Sequence, residues 1–392
     1  MAIELEKREL RSYELRKKKH KQQMTLIVAI GLTIAVILGT FLIKQILDKN
    51  YTAYEVVNTT KREDSSSAKY KSYKSGVVRY SRDGIMAMDS TGKMIWNGTF
   101  EMKNPIVDIC DDYVVIADRG SKLLQIYSGK GQPQNIPVLN NIIEVKVANQ
   151  GVVAVLMEGN GSNIIEMYSE EGKWLAELRT TNVKNGFPVD MDLSEDGRTI
   201  VTSYMFLNNG IVQNKVTFRN FGPVGQNYVD QVVGTYDYGQ TIIPQVEFVD
   251  NNIAAAFGDH KISIYSVNNV PKLIYEKEFE SEIRSIIYNK KYIGVVLSNS
   301  QGEEKNQFII YDMKGNVVLD QKNNYEYKTI SFSGEDIIMY TETGCIILTL
   351  NGSEKLNITF DRNISYVFPV DNKDKYILID DINMEEIKLI EK

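Results

Sequence analysis

The sequence predicts an all-β fold, an eight-bladed β-propeller preceded by one N-terminal transmembrane helix. Three observations support this prediction. A hairpin motif recurs about every 40 to 50 residues, as in repeat proteins built from sheets of four strands. Short runs of alternating or wholly apolar residues separate the copies, and a long uncharged run lies near the start of the chain.

The hairpin motif is clearest between Gly84 and Trp96, where two apolar-alternating runs flank the turn Asp-Ser-Thr-Gly. Glycine supplies the left-handed residue of such a turn, and the aspartate bonds back to its amides. Two other copies match the motif closely and end in Gly172 and Gly315. Three more match it loosely and end in Gly131, Gly222 and Gly352. Four short strands per copy predict propeller blades.

The innermost strands of these blades are expected near residues 68–73, 106–111, 142–148, 188–193, 243–249, 282–288, 328–332 and 364–370. That spacing gives eight blades, or seven if one repeat is misread. The last repeat has three strands before the chain ends. We expect Tyr54–Val57 to supply its fourth strand, which closes the ring and removes an open sheet edge.

The N-terminal part has a different composition. Residues 1–23 hold eight Lys or Arg and four Glu, and the run from Met24 to Ile43 is twenty residues without a charge. A run of this length matches a membrane-spanning helix, and the basic flank predicts a cytoplasmic N-terminus. The predicted organisation is therefore a cytoplasmic tail (1–23), a transmembrane helix (24–47), a stem and closing strand (48–67), and an extracytoplasmic propeller (68–392).

This layout resembles an uncharacterised family of bacterial single-pass membrane proteins with a propeller ectodomain. The similarity rests on the anchor, the stem and the segments Tyr80–Gly84, Asp89–Trp96 and Leu193–Gly197. It implies a fold and an envelope location, and no activity. The first repeat is also similar to quinoprotein repeats, which place a tryptophan in many blades, whereas this chain has only Trp96 and Trp174.

Composition and motifs argue against several classes of function. The net charge of −6 disfavours a nucleic-acid partner, since binding phosphates needs a basic surface. Cys110 and Cys345 are expected to be free thiols, and His260 a solvated turn residue. We find no pattern for a metal site or for any cofactor. Four acids are expected near the ring axis, where they either hydrogen-bond turns or form a glycosidase pair: Asp108, Asp190, Asp192 and Glu247.

The connections between strands suggest where a partner binds. Alternation places the short turns on one face of the ring and the longer connections of the middle repeats on the other. Long loops on a rigid scaffold are where binding residues concentrate. The residues predicted to contact a partner are Phe187, Phe206, Asn208, Tyr236 and Tyr238.

The sequence thus predicts a non-catalytic, membrane-anchored module that binds a protein or a cell-envelope polymer. The alternative is a carbohydrate- or quinone-active propeller enzyme. The stem is expected to enter the ring on the face with the short turns, which leaves the long loops facing outward.

Overall fold

A computed structural model describes residues 24–25, 30–34, 39, 50–63, 67–299, 303–370 and 374–391. The predicted cytoplasmic tail and most of the predicted transmembrane helix lie outside these residues. Within the described part, no helix is long and apolar enough to cross a membrane. The chain divides into two compact units, and the larger unit, Thr52–Ile390 with Lys392, holds nearly all the described structure.

The larger unit is built from β-sheets of antiparallel strands in a propeller-like arrangement. Six sheets have four strands in sequence order, and a seventh has eight strands. The first strand, β1 (Tyr51–Lys61), belongs to the eight-stranded sheet. The first three four-stranded sheets are made of β2 (Lys69–Tyr73), β3 (Gly76–Tyr80), β4 (Gly84–Met88), β5 (Met94–Thr99); β6 (Pro105–Cys110), β7 (Tyr113–Asp118), β8 (Leu124–Tyr127), β9 (Pro133–Asn135); β10 (Asn141–Val147), β11 (Val153–Glu158), β12 (Ser162–Tyr168), β13 (Trp174–Thr181).

The next three four-stranded sheets follow the same order. Their strands are β14 (Phe187–Leu193), β15 (Thr199–Asn208), β16 (Ile211–Asn220), β17 (Val232–Gly239); β18 (Gln245–Asp250), β19 (Ile253–Phe257), β20 (Lys261–Ser266), β21 (Lys272–Glu278); β22 (Ile283–Tyr288), β23 (Tyr292–Ser298), β24 (Asn306–Asp312), β25 (Val317–Asn323). A short helix (Asn182–Asn185) and two 3-10 turns (Gly225–Asn227 and Val229–Gln231) connect some of these strands.

The eight-stranded sheet joins the end of the chain to its beginning. It contains β26 (Thr329–Ser333), β27 (Asp336–Tyr340), β28 (Gly344–Thr349), β29 (Glu354–Thr359), β30 (Ile364–Pro369), β31 (Lys375–Asp380) and β32 (Asn383–Glu391). In this sheet β1 lies between β29 and β32. The strand predicted at Tyr54–Val57 is longer than expected, because Asn58–Lys61, predicted as loop, continues it.

The core lies between neighbouring sheets. Middle strands such as β11 and β19 are apolar on both faces and almost wholly buried, whereas fourth strands such as β21 are mostly exposed. This gradient explains why the second strands read as continuous apolar runs rather than as alternating ones. Trp96 shows one contact between sheets: its ring stacks on Tyr127 of the next sheet at 5.0 Å, whereas Trp174 is 59% exposed.

The predicted turn chemistry is present in five of the six motif copies. In each of the five, the glycine has a positive φ and its N–H donates to the carbonyl three residues earlier: Gly92, Gly131, Gly172, Gly315 and Gly352. The turn prediction is wrong for the sixth copy. Gly222 instead donates its N–H to the side chain of Asn220, and the chain continues into the two 3-10 turns.

Each observed inner strand begins and ends within two residues of its prediction. We call the edge with the connections between first and second and between third and fourth strands the turn face. The opposite edge, with the connections between second and third strands and between sheets, is the loop face. Arg62 donates its N–H to Ile382 in the β31–β32 turn at 2.8 Å, so β1 ends on the loop face and begins on the turn face.

The first and last sheets also share a core. Tyr70 and Val77 of the first sheet pack in one apolar cluster with Ile377 and Ile379 of the last. On the outer side, Asn58 and Thr60 of β1 each donate a hydrogen bond to the carbonyl of Thr91, in the β4–β5 turn, at 2.7 Å. The strand β1 therefore contacts the sheets on both sides of the junction.

We predict that the ring depends on β1 for stability. A chain that begins at Ser67 should melt at a lower temperature than one that begins at Tyr51, and should self-associate through the bare edge of β32. Thermal unfolding and light scattering of the two shortened chains measure this. Equal melting temperatures and equal monodispersity would show that β1 is dispensable.

Candidate functional site

Three of the four acids predicted near the axis hold neighbouring inner strands together. Asp108 on β6 accepts the N–H of Val147 at 2.8 Å, and Val147 belongs to the inner strand of the next sheet. Asp190 and Asp192 on β14 accept the N–H groups of Val246 and Phe248 on β18, at 2.7 and 2.6 Å. Backbone donors of one inner strand are thus satisfied by carboxylates of the preceding one, which is the hydrogen-bonding alternative of the sequence analysis.

The fourth acid, Glu247, shares an ammonium group with Asp192. Lys146 on β10 places its Nζ 3.2 Å from an Asp192 oxygen and 3.8 Å from a Glu247 oxygen. Burial lowers the pKa of Lys146, because it disfavours the charged ammonium. The carboxylates of Asp192 and Glu247 act in the opposite direction, and the pKa of Lys146 lies well above its ordinary value. Burial pulls the pKa of Asp192 upward. Because Asp192 also faces a backbone N–H and this ammonium, we assign it the ionised form.

Glu144, two residues before Lys146 on the same strand, has a different protonation state. Burial, followed by the charge of nearby Asp190, raises the pKa of Glu144 to about 8. At neutral pH, Glu144 is therefore a neutral acid near the Asp190 carboxylate, as expected for two carboxyl groups that share one site.

The contacts of these acids favour a structural role over the catalytic pair of a glycosidase, whose acids flank a sugar ring or a water. Asp108, Asp190 and Asp192 are each engaged with a backbone amide, and Glu247 lies beside the Lys146 ammonium. The arrangement cross-links the inner strands and neutralises charge at the axis.

Other reactive residues are isolated. Within the described residues, no group of three or more His, Cys, Asp or Glu is placed to hold a metal ion. Cys110 and Cys345 are free thiols, and burial raises the pKa of each to about 12. His260 is half-exposed and lies 3.4 Å from the neighbouring Asp259.

Two of the residues predicted to contact a partner are packed inside the protein. Tyr236 and Tyr238 lie on β17 rather than in a loop. Tyr238 is only 8% exposed and its hydroxyl hydrogen-bonds to that of Tyr265, while Tyr236 donates to the Pro271 carbonyl at 2.6 Å. Both tyrosines join the sheet of β14–β17 to the sheet of β18–β21, and Tyr236 is half-buried there. The glycines near both residues are typical of a loop in the sequence, although the segment is a strand.

The other three residues predicted to contact a partner lie together on the loop face. Phe206 and Asn208 are near the end of β15, and Phe187, which is 55% exposed, pairs with Met205 of the same strand. Phe206 is half-buried beneath the ammonium of Lys215, 5.0 Å from the ring centre. Asn208 donates to Gln213 across the hairpin at 3.1 Å.

The hairpin of β15 and β16, with ten residues in each strand, carries apolar residues that the sequence reasoning missed. Leu207 pairs with Val212, and Ile211 pairs with Asn208, around the turn Asn209–Gly210. Both turn residues have positive φ, at 50° and 80°, as a two-residue type I′ turn requires. An Asn-Gly pair between alternating runs is the strongest local sign of a hairpin, and it could have revealed this one. Glu144 and Lys146 could have been found from their spacing of two on an inner strand.

Comparison with known proteins places the chain in a family. It belongs to the family of unknown function DUF5711, whose pattern matches residues 47–389. The resemblance to an uncharacterised family is therefore confirmed, while membrane anchoring is a separate question. A search of curated proteins gives no match.

Solved structures share the fold at low sequence identity. BamB from Moraxella catarrhalis has a TM-score of 0.52 at 12% identity, over 86% of this chain and 98% of its own. A eukaryotic initiation factor has a TM-score of 0.53 at 12% identity, over 86% and 87%. AztD from Citrobacter koseri has a TM-score of 0.50 at 9% identity, over 76% and 87%. These likenesses support the β-propeller architecture and nothing finer.

We predict that the proton on Glu144 makes stability depend on pH. Between about pH 4.5 and pH 8 the folded state keeps a proton that the unfolded state has released, so the free energy of unfolding falls as pH rises. Glu144→Gln cannot ionise and removes this dependence. Its stability relative to the natural protein should increase by about 1–3 kcal/mol from pH 5 to pH 8.

Urea unfolding at the two pH values measures this difference. Glu158→Gln, an exposed glutamate at the end of the neighbouring strand, is the matched control and should show no such change. Parallel pH profiles for Glu144→Gln and the natural protein would mean that Glu144 is ionised at neutral pH.

Proposed function

We propose that this DUF5711 protein is a membrane-anchored, extracytoplasmic propeller with eight blades. In this proposal it binds a protein partner through the tip of the β15–β16 hairpin and catalyses no reaction. The observation that carries the proposal is the exposure of apolar side chains at that tip. Leu207 is 74% exposed, and Ile211 and Val212 are also exposed.

The tip is apolar on both faces of its two-stranded ribbon. Directly paired residues share a face, so Leu207 and Val212 lie on one face and Ile211 with Asn208 on the other. Phe187 lies on the face of Leu207, since it pairs with Met205 two residues earlier on the same strand. Exposed apolar groups concentrated at one projecting site are typical of a protein interaction surface.

The base of the ribbon is fixed, which favours a preformed binding element. The Lys215 ammonium covers the Phe206 ring, and the type I′ turn matches the natural twist of the strands. A rigid hairpin loses little conformational entropy when it binds. Of the predicted partner-binding residues, Phe187, Phe206 and Asn208 therefore remain in the proposal, with Leu207, Ile211 and Val212 added.

A protein partner suits this tip better than a wall polymer does. Aliphatic side chains gain free energy by entering an apolar surface, whereas a polar polymer needs hydrogen-bond donors, acceptors or charges. An enzymatic role has less support, because the axial acids are engaged with Lys146 and with backbone amides.

The location and the blade count rest on the sequence together with the topology. The uncharged run at Met24–Ile43 supports an anchor, and the basic flank supports a cytoplasmic N-terminus. The division of the eight-stranded sheet into β26–β29 and β30–β32 with β1 supports a count of eight blades. The strand β1 begins on the turn face, and the proposed partner site lies on the loop face.

We predict that the propeller lies outside the cell membrane. Protease added to intact, wall-stripped cells should digest the propeller and spare a cytoplasmic marker protein. If the propeller is digested only after lysis, together with the marker, the orientation is inverted.

We also predict that the hairpin tip captures the partner. A triple variant should recover about tenfold less partner after crosslinking in native membranes; its changes are Leu207→Ser, Ile211→Ser and Val212→Ser. The reason is that each buried aliphatic group contributes on the order of 1 kcal/mol or more to binding. The matched control changes three exposed apolar residues on fourth strands, Leu175, Ile274 and Val317, to serine and should capture normally. Unchanged melting temperatures show that all the variants are folded. Normal capture by the hairpin variant would overturn the proposal.

A further inference from the structure

We infer a second binding site, a basic cleft between the first two sheets that accepts a linear polymer of phosphate groups. The cleft has a volume of about 600 Å³ and opens on the loop face. Four cationic side chains line it: Lys69, Arg82, Lys103 and Arg119. This inference does not depend on the hairpin, and the two proposals are tested independently.

The four cations come from four different parts of the chain. Lys69 begins β2, and Arg82 lies in the β3–β4 turn. Lys103 lies between β5 and β6, and Arg119 follows β7. All four positions belong to the loop face, where the first two sheets meet.

The backbone that carries these cations is held by hydrogen bonds. The buried carboxylate of Asp118 accepts the N–H groups of Lys103 and Asn104, at 3.0 and 2.7 Å. Arg119 donates its own N–H to the Asn104 carbonyl at 3.0 Å and its Nε to the Ile143 carbonyl at 3.0 Å. Asp118 thus acts on the backbone, and the Lys103 ammonium and the two terminal nitrogens of the Arg119 guanidinium are left for another partner.

The charge of the cleft is not neutralised within the described residues. None of the four cations forms an ion pair with another described residue, and all four are exposed. The residues that line the cleft include no Asp or Glu. Four uncompensated cations around one concave space favour an anionic ligand.

The cleft continues toward the axis, which favours a polymer over a single ion. An adjoining pocket of about 260 Å³ shares Lys69 and Arg119 with the cleft and extends the space available to a ligand. Its other two lysines are engaged within the protein: Lys71 donates to the Val107 carbonyl at 2.6 Å, and Lys146 is paired with Asp192. The four cleft cations, carried by separate segments, match repeated charges on a chain, and the two arginines can each bind phosphate oxygens with two donors.

The test uses the full-length protein in neutral detergent and measures binding of fluorescent short-chain polyphosphate by anisotropy. The natural protein should bind it, with an affinity that falls as salt rises. Changing Lys69, Arg82, Lys103 and Arg119 to glutamine should raise the Kd by about tenfold or more, since four charge contacts are lost. The matched control changes four exposed lysines on other sheets to glutamine, with the same loss of charge, and should raise the Kd less than twofold: Lys272, Lys277, Lys314 and Lys322.

Several results would overturn the inference. An equal loss of affinity in both variants would show diffuse attraction without a site. Binding of inorganic phosphate as tight as that of the polymer would indicate a single-ion pocket. Cleft-dependent binding to phosphatidylglycerol vesicles without binding to polyphosphate would assign the cleft to a membrane surface. Failure of the natural protein to bind polyphosphate at low salt would reject the site outright, while partner capture by the hairpin would be unaffected.

Discussion

A ring of sheets is stable only if its last sheet has no free edge, and here one strand from the start of the chain meets that requirement. The final three strands, β30–β32, need a fourth, and β1 lies beside β32 in the same sheet. Hydrogen bonds from Asn58 and Thr60 to Thr91 then connect β1 to the first sheet. Each sheet buries its apolar faces only against its neighbours, so the remaining core clusters rely on this junction.

The inner strands of the ring also have an unpaired edge. First strands have one edge paired with the second strand and one edge facing the axis, where backbone N–H groups lack strand partners. Asp108, Asp190 and Asp192 supply acceptors there for the next inner strand. Carboxylates gathered at an axis repel one another, and two features reduce that cost. Lys146 neutralises one pair, and Glu144 keeps its proton beside Asp190. Acids that suggest catalysis in the sequence are thus explained by packing.

The sequence was most informative where structure is local. Turns that end in a glycine of positive φ, such as Gly92, and apolar runs such as Ile253–Phe257 located the inner strands within two residues. Contacts between residues distant in the chain could not be predicted from the sequence. Tyr238 reads as a loop residue because Gly and Asp surround it, and only the neighbouring sheet, with Tyr265, shows that it is buried. The basic cleft has no signal in the sequence either, since Lys69 and Arg119 are fifty residues apart and meet only when two sheets pack.

The two proposed binding elements lie on one face for a physical reason. On the turn face, five of the connections between third and fourth strands are tight glycine turns whose geometry leaves little room for insertion, and the longer β16–β17 connection is an exception. Connections on the loop face are free of that restriction, so β15 and β16 can extend to ten residues and the sheet-to-sheet segments can place cations beside one another. The chemistry of the two elements also differs. An aliphatic tip is insensitive to salt, whereas a basic cleft on an acidic protein loses attraction as salt rises. The loop face can therefore hold a protein and a polyanion at the same time, by forces that do not compete.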